Sequence, residues 1–228
     1  MTRTVLVAPE WRARLAALGL ADPAALLEAG DPACRFGGRW ELLSKPGLGG
    51  RSRWRWTLPP DATPSCPRPA APPGAARPAF APVLYVKRYE RASLREQLDR
   101  IRRQAARHSR AWWEYRQSHE LGRRGIAAVR AVAMADEQCG SGWCEFRSVV
   151  VFEAAAGDAF DRIWPRLVAA GDPLTCAPRR HELTRQLARF VAAFHETGIC
   201  HRDLYLCHVF LDVSGDSPAE AGWAEAGT

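Results

Sequence analysis

Apolar positions along the chain change period several times, and each change marks an element. In residues 10–29, "EWRARLAALGLADPAALLEA", Trp11, Leu15 and Leu18 recur at helical spacing, and a second helical turn is expected after Pro23. The next stretch, "RFGGRWELLSKPGLGGRSRWRWTL", alternates instead. Trp40 and Leu42, then Trp54, Trp56 and Leu58, flank the glycine-rich "KPGLGG", which predicts strand, loop, strand. "PVLYVKRY" predicts another strand. From Ser93 to about His119 the period returns to helical, with Leu94, Leu98, Ile101, Ala105 and Trp112 as an apolar stripe and arginines on the other faces. "AVRAVAMAD" and "WCEFRSVVVFEAAAG" predict two strands around the turn "DEQCGSG". "RRHELTRQLARFVAAFHETG" predicts an amphipathic helix with Leu183, Leu187, Phe190, Val191 and Phe194 on one face that stops at Gly198. "HVFLD" predicts a short buried strand.

Between these elements, residues 59–82 hold nine of the chain's 17 prolines and seven alanines. Proline fixes φ and lacks an N–H, so this stretch is expected to be an extended insertion between strands of one lobe. No repeat interrupts the order, which is an α+β pattern with a mainly antiparallel first half.

Composition narrows the class. With 228 residues, 47% hydrophobic and 25% charged, the chain has the makeup of a soluble globular protein. No apolar run approaches the ~20 residues needed to span a bilayer. The start lacks a signal-peptide layout, which predicts a cytoplasmic protein. Seven scattered cysteines with no CxxC argue against a disulfide framework or zinc knuckle and predict buried, reduced thiols. The net charge of +7 is concentrated: residues 87–130 carry 13 basic and 5 acidic side chains, and the rest is near neutral. That segment is either a solvated helix face or a surface for an anionic partner. No groove-reading or RNA-binding motif accompanies it, so no nucleic-acid partner is expected.

The stretch "GICHRDLYLCHVFLD", residues 198–212, carries the chemistry. His201, Arg202 and Asp203 follow a glycine and precede an apolar strand, and His208 stands five residues after the aspartate. This resembles a protein-kinase catalytic loop, with His208 where Asn is expected. The string "HRDLYLCHVFL" is similar to the lipopolysaccharide kinase (Kdo/WaaP-like) family, bacterial sugar kinases of protein-kinase-like fold, which carries histidine at that position. The resemblance covers roughly residues 35–212.

The fold it implies is α+β and protein-kinase-like: an antiparallel N-lobe sheet with one long helix, plus an incomplete, mainly helical C-lobe. Residues 1–34 are then an N-terminal helical extension, 35–152 the N-lobe with its 59–82 insertion, and 153–228 a partial C-lobe bearing the catalytic loop. The family's roles fall on matching positions. Asp203 is expected to take the acceptor hydroxyl's proton, with Arg202 and His201 anchoring the loop. Lys87 is expected to meet the nucleotide phosphates, with Glu114 as its partner and Glu96 as the alternative partner. Backbone N–H groups at Gly47, Gly49 and Gly50 are expected to cover the phosphates. ATP and Mg²⁺ are the implied cofactors, and His208 is the candidate metal ligand, although hard cations prefer oxygen.

The implied reaction is ATP-dependent phosphorylation of a sugar hydroxyl, heptose or Kdo, of the lipopolysaccharide core. The implied partner is an anionic glycolipid or sugar at the inner face of the cytoplasmic membrane, with peripheral contact through residues 87–130. The pattern departs from the family after His208, where no apolar strand ends in a second metal-binding acid; Asp212 and Asp216 are poorly placed. The tail "SPAEAGWAEAGT" is expected to be flexible. Two alternatives follow: a truncated kinase with an exposed apolar helix face at 181–197, or an inactive kinase-like binding module.

Overall fold

The computed structural model describes residues 1–28, 31–43, 50–59, 83–103, 107–139, 144–199, 204–213 and 223–225. They divide into two compact units, the first formed by residues up to 59, 83–117 and 130–154, the second by residues 118–129 and from 155 on.

The first unit is built on a six-stranded antiparallel sheet. Its strands are β1 (Thr2–Val7), β2 (Arg39–Leu42), β3 (Arg51–Thr57), β4 (Val83–Tyr89), β5 (Ala131–Gln138) and β6 (Glu145–Glu153), in the spatial order β1-β5-β6-β4-β3-β2. β1 is a strand that the sequence reading of residues 1–34 did not anticipate. It pairs with β5 from Thr2↔Gln138 to Val7↔Ala133 and closes that edge of the sheet. The short helix α1 (Arg12–Ala17) follows, then 3-10 turns at Pro23–Leu27 and Pro32–Cys34. Asp22 and Asp31 cap those turns by accepting the N–H groups of Ala24 and Ala33.

Strand alternation sends Leu84 and Val86 of β4 to one face and Lys87 and Tyr89 to the other. Leu84 and Val86 join a core with Val149 and Val151 of β6, Trp56 of β3, and Trp11, Leu15, Leu20 and Leu27 from the N-terminal segment. The tryptophan hairpin is confirmed. Trp40 and Trp56 lie opposite in register and stack at 4.5 Å, and Trp56 Nε1 donates to the Gly37 carbonyl at 2.7 Å. Leu42, expected on the same apolar alternation, is exposed instead.

The helical stretch 93–119 is not one helix. Helix α2 (Leu94–Arg103) and helix α3 (Arg110–Arg123) are separate. Ser109 starts α3 afresh, its hydroxyl oxygen accepting the Trp112 N–H at 3.1 Å while its own proton goes to Asp136 at 2.6 Å. The stripe assigned to this stretch is also reversed in α2. Leu94, Leu98 and Ile101 are 82%, 62% and 40% exposed, and buried Gln97 holds the helix to β6. Ala105 lies outside the described residues.

The second unit holds helix α4 (Phe160–Ala169), helix α5 (Ala177–Glu196) and a small antiparallel sheet of β7 (Asp158–Ala159), β8 (Val209–Leu211) and β9 (Trp223–Glu225). Ile163, Leu183, Val209 and Leu211 form one core; Leu121, Ile126 and Phe194 form another. Phe190 touches both, and Leu187 leans on the first. α5 ends at Gly198, whose φ of +73° fits a glycine cap. β9 corrects the expectation of an unstructured tail, since it pairs with β8 from Val209↔Glu225 to Leu211↔Trp223. The thiols also differ from expectation: Cys34, Cys176 and Cys207 are exposed and Cys139 and Cys144 half-buried. Cys66, Cys200 and the 60–82 part of the proline-rich insertion lie outside the described residues. Among the described residues no helix is long and apolar enough to cross a membrane.

Candidate active site

β4 and α3 bring the two upstream candidates together. Lys87 Nζ lies 3.2 Å from Glu114 Oε2, with the two side chains only 9% and 16% exposed. Glu114 is therefore the partner. Glu96 is exposed and accepts instead from the Ser93 backbone N–H at 2.8 Å, while Ser93 Oγ accepts the Glu96 N–H, a capping box that starts α2. The other oxygen of Glu114 accepts a close hydrogen bond from the Tyr89 hydroxyl, so both carboxylate oxygens are occupied.

Burial governs the chemistry of this group. Removal from water lowers the Lys87 pKa below the usual lysine value, and Glu114 opposes that drop, while Arg53 adds to it. Burial, reinforced by the charge of Glu114, pushes the Tyr89 phenol well above 10. Tyr89 therefore acts as a donor throughout the physiological range. Lys87 also stands 5.0 Å from the ring centroid of Phe152. The result is an ammonium held against Glu114 and the Phe152 ring in a site where its charge is poorly solvated.

A second buried carboxylate sets where α3 begins. The side chain of Glu145 is fully buried. It accepts from the Arg110 backbone N–H at 3.1 Å, from Arg110 Nε at 3.2 Å, from Arg100 Nη1 at 3.0 Å and from Ser148 Oγ at 2.5 Å. Arg110 stacks 4.6 Å from the Tyr89 ring and donates to the Glu90 carbonyl at 2.7 Å. Sequence reasoning missed this network. Its signal was an acid opening an apolar strand, where an unpaired charge is too costly to bury.

The remaining candidates are less connected. Gly50 is described and exposed. Its carbonyl accepts the Glu90 N–H at 2.6 Å, and a Cβ there would meet Glu90 Cβ at 3.3 Å. Gly47 and Gly49 lie outside the described residues, as do His201, Arg202 and Asp203. His208 closes a 3-10 turn (Leu206–His208) just before β8, and its N–H donates to the Tyr205 carbonyl at 2.8 Å. Among the described residues no three His, Cys, Asp or Glu side chains group as a metal site.

Comparisons with known proteins give the fold and the family. The solved structure of "WaaP in complex with acyl carrier protein" matches with a TM-score of 0.58 and 20% identity, covering 99% of this chain and 70% of that one. That likeness gives the fold, which is kinase-like. No curated protein matches the sequence. The family model for the lipopolysaccharide kinase (Kdo/WaaP) family matches residues 80–223, from just before β4 to the start of β9. With well over half its length matched to that model, the chain belongs to the lipopolysaccharide kinase (Kdo/WaaP) family and is a kinase, a phosphotransferase.

Proposed function

We propose that the chain transfers the γ-phosphoryl group of ATP to a sugar hydroxyl, heptose or Kdo, of a lipopolysaccharide core. The observation that carries this reading is the buried Lys87–Glu114 pair. An ammonium whose charge is disfavoured by burial is stabilised by meeting an anionic phosphate, and Glu114 with Tyr89 fixes where it stands. Bound ATP supplies the phosphoryl group. Lys87 binds and orients its α- and β-phosphates. The backbone N–H groups of Gly47, Gly49 and Gly50 cover the phosphates, and Asp203 takes the proton of the acceptor hydroxyl. Arg202 and His201 anchor the loop that bears Asp203.

Mg²⁺ is the metal the reaction class implies. Among the described residues no three His, Cys, Asp or Glu side chains group as a site for it, and His208 offers a nitrogen where this hard cation prefers oxygen.

The substrate is an anionic glycolipid. The net charge of +8 over residues 87–130 supports an anionic partner and a peripheral position at the inner face of the cytoplasmic membrane. Incubation with γ-labelled ATP and isolated lipopolysaccharide core tests the reading. Label should pass to the sugar, and Asp203→Ala should slow transfer by roughly 10²–10⁴-fold. Undiminished transfer by Asp203→Ala would overturn the assignment. ATP binding with no transfer would mark a kinase-like binding module instead.

A further inference from the structure

α2 is built inside out. A helix on a protein surface ordinarily turns its apolar stripe inward. Here the stripe Leu94, Leu98 and Ile101, at i, i+4 and i+7, is 82%, 62% and 40% exposed. The helix is secured by polar groups. Gln97 Nε2 donates to the Glu145 carbonyl at 2.8 Å, and Arg100 reaches the Glu145 carboxylate at 3.0 Å and the His108 carbonyl at 2.7 Å. The Ser93–Glu96 box closes its first turn. The helix therefore needs none of its aliphatic side chains to stay attached.

What borders the stripe indicates what it meets. Arg102 follows Leu98 by four residues and Arg95 directly follows Leu94, so at about 100° per residue both exposed guanidiniums lie along one edge of the apolar arc, the edge away from buried Gln97. Gln97 and Arg100 occupy the inward side. A stable protein interface needs about 800 Å² from each partner, more than three aliphatic side chains on a ten-residue helix provide. An apolar arc with a cationic edge on its outward side is the pattern of a helix lying in a bilayer surface.

We propose that α2 is a docking helix for an anionic membrane surface: Leu94, Leu98 and Ile101 enter the acyl boundary, and Arg95 and Arg102 engage the headgroups. This deepens the peripheral contact proposed above by naming its element and needs neither nucleotide nor sugar. It can therefore fail while phosphoryl transfer stands, and the reverse.

Vesicle sedimentation of the full chain tests it. The chain should sediment with vesicles of equal parts phosphatidylcholine and phosphatidylglycerol and stay in solution with phosphatidylcholine alone. The triple variant Leu94→Gln, Leu98→Gln, Ile101→Gln should bind about tenfold more weakly. The double variant Arg95→Gln, Arg102→Gln should also bind more weakly and lose much of the salt sensitivity. Leu98→Gln alone gives the same direction if the triple variant does not fold, and the unmodified chain is decisive by itself. Failure of the unmodified chain to bind the anionic vesicles would overturn the proposal. So would equal binding by the glutamine variants, or a dimer that the triple variant dissociates, since the stripe would then be a contact between copies.

Discussion

Arg110 meets Glu145 twice, through its backbone N–H at 3.1 Å and its Nε at 3.2 Å, at the point where α3 leaves the sheet. One carboxylate on β6 thus fixes both the first turn of the helix and the arginine over Tyr89. Glu114 lies four residues further along α3, so the position of the Lys87 partner depends on this anchor.

Removing that carboxylate strands two arginines. Glu145→Ala should cost about 3–5 kcal/mol, the range for breaking a buried ion pair from one side. Denaturant unfolding measures it. A loss below about 1 kcal/mol would show that α3 is held by packing alone.

Glu137 gives the chain an acid limit. It accepts from Arg147 Nε at 2.6 Å and from Arg3 Nη2 at 2.8 Å, tying β1 and β6 to β5. Those bonds, that of Arg147 first, hold its carboxyl below the usual 4.5. Around that pH the folded chain binds fewer protons than the unfolded chain. The contribution is therefore complete above about pH 4.5 and is lost as pH falls through the lowered native value. Glu137→Gln should reduce stability at neutral pH by about 1–3 kcal/mol and flatten this acid dependence, which thermal melts across pH 3–7 would show.

Gly38 admits no side chain. Its φ is +96°, and a Cβ would lie 2.5 Å from the Thr57 carbonyl oxygen. Gly38→Ala should therefore destabilise the hairpin β2–β3 by about 1–3 kcal/mol, read as a lower melting temperature. Gly37→Ala is the control, because nothing lies within 4 Å of a Cβ there.

Lys87 and Glu114 were legible because each belongs to a strongly patterned element and the family resemblance supplied their pairing. Helix α2 was misread for a definite reason. Periodicity tells which residues share a face, but the burial of Gln97 and the ion pair of Arg100 decide which face turns inward. α4 was missed because Pro165 sits inside it and masks the spacing of Ile163, Trp164 and Leu167. β1 and β9 are short strands whose pairing partners lie more than a hundred residues away or beyond a stretch rich in small residues, so no local signal marks them. The Glu145 network was hidden because its members come from three elements. The sequence carries their charges but not their meeting.

We propose that the Lys87–Glu114 pair anchors the phosphates of a nucleotide. Calorimetric titration of the chain with ATP tests it most directly, comparing the unmodified protein with Lys87→Met and Glu114→Gln. Each variant should bind ATP about 10–100-fold more weakly, the loss expected for a hydrogen bond to a charged group, with its fold intact by circular dichroism. Folded variants that bind ATP as tightly as the unmodified chain would contradict the account.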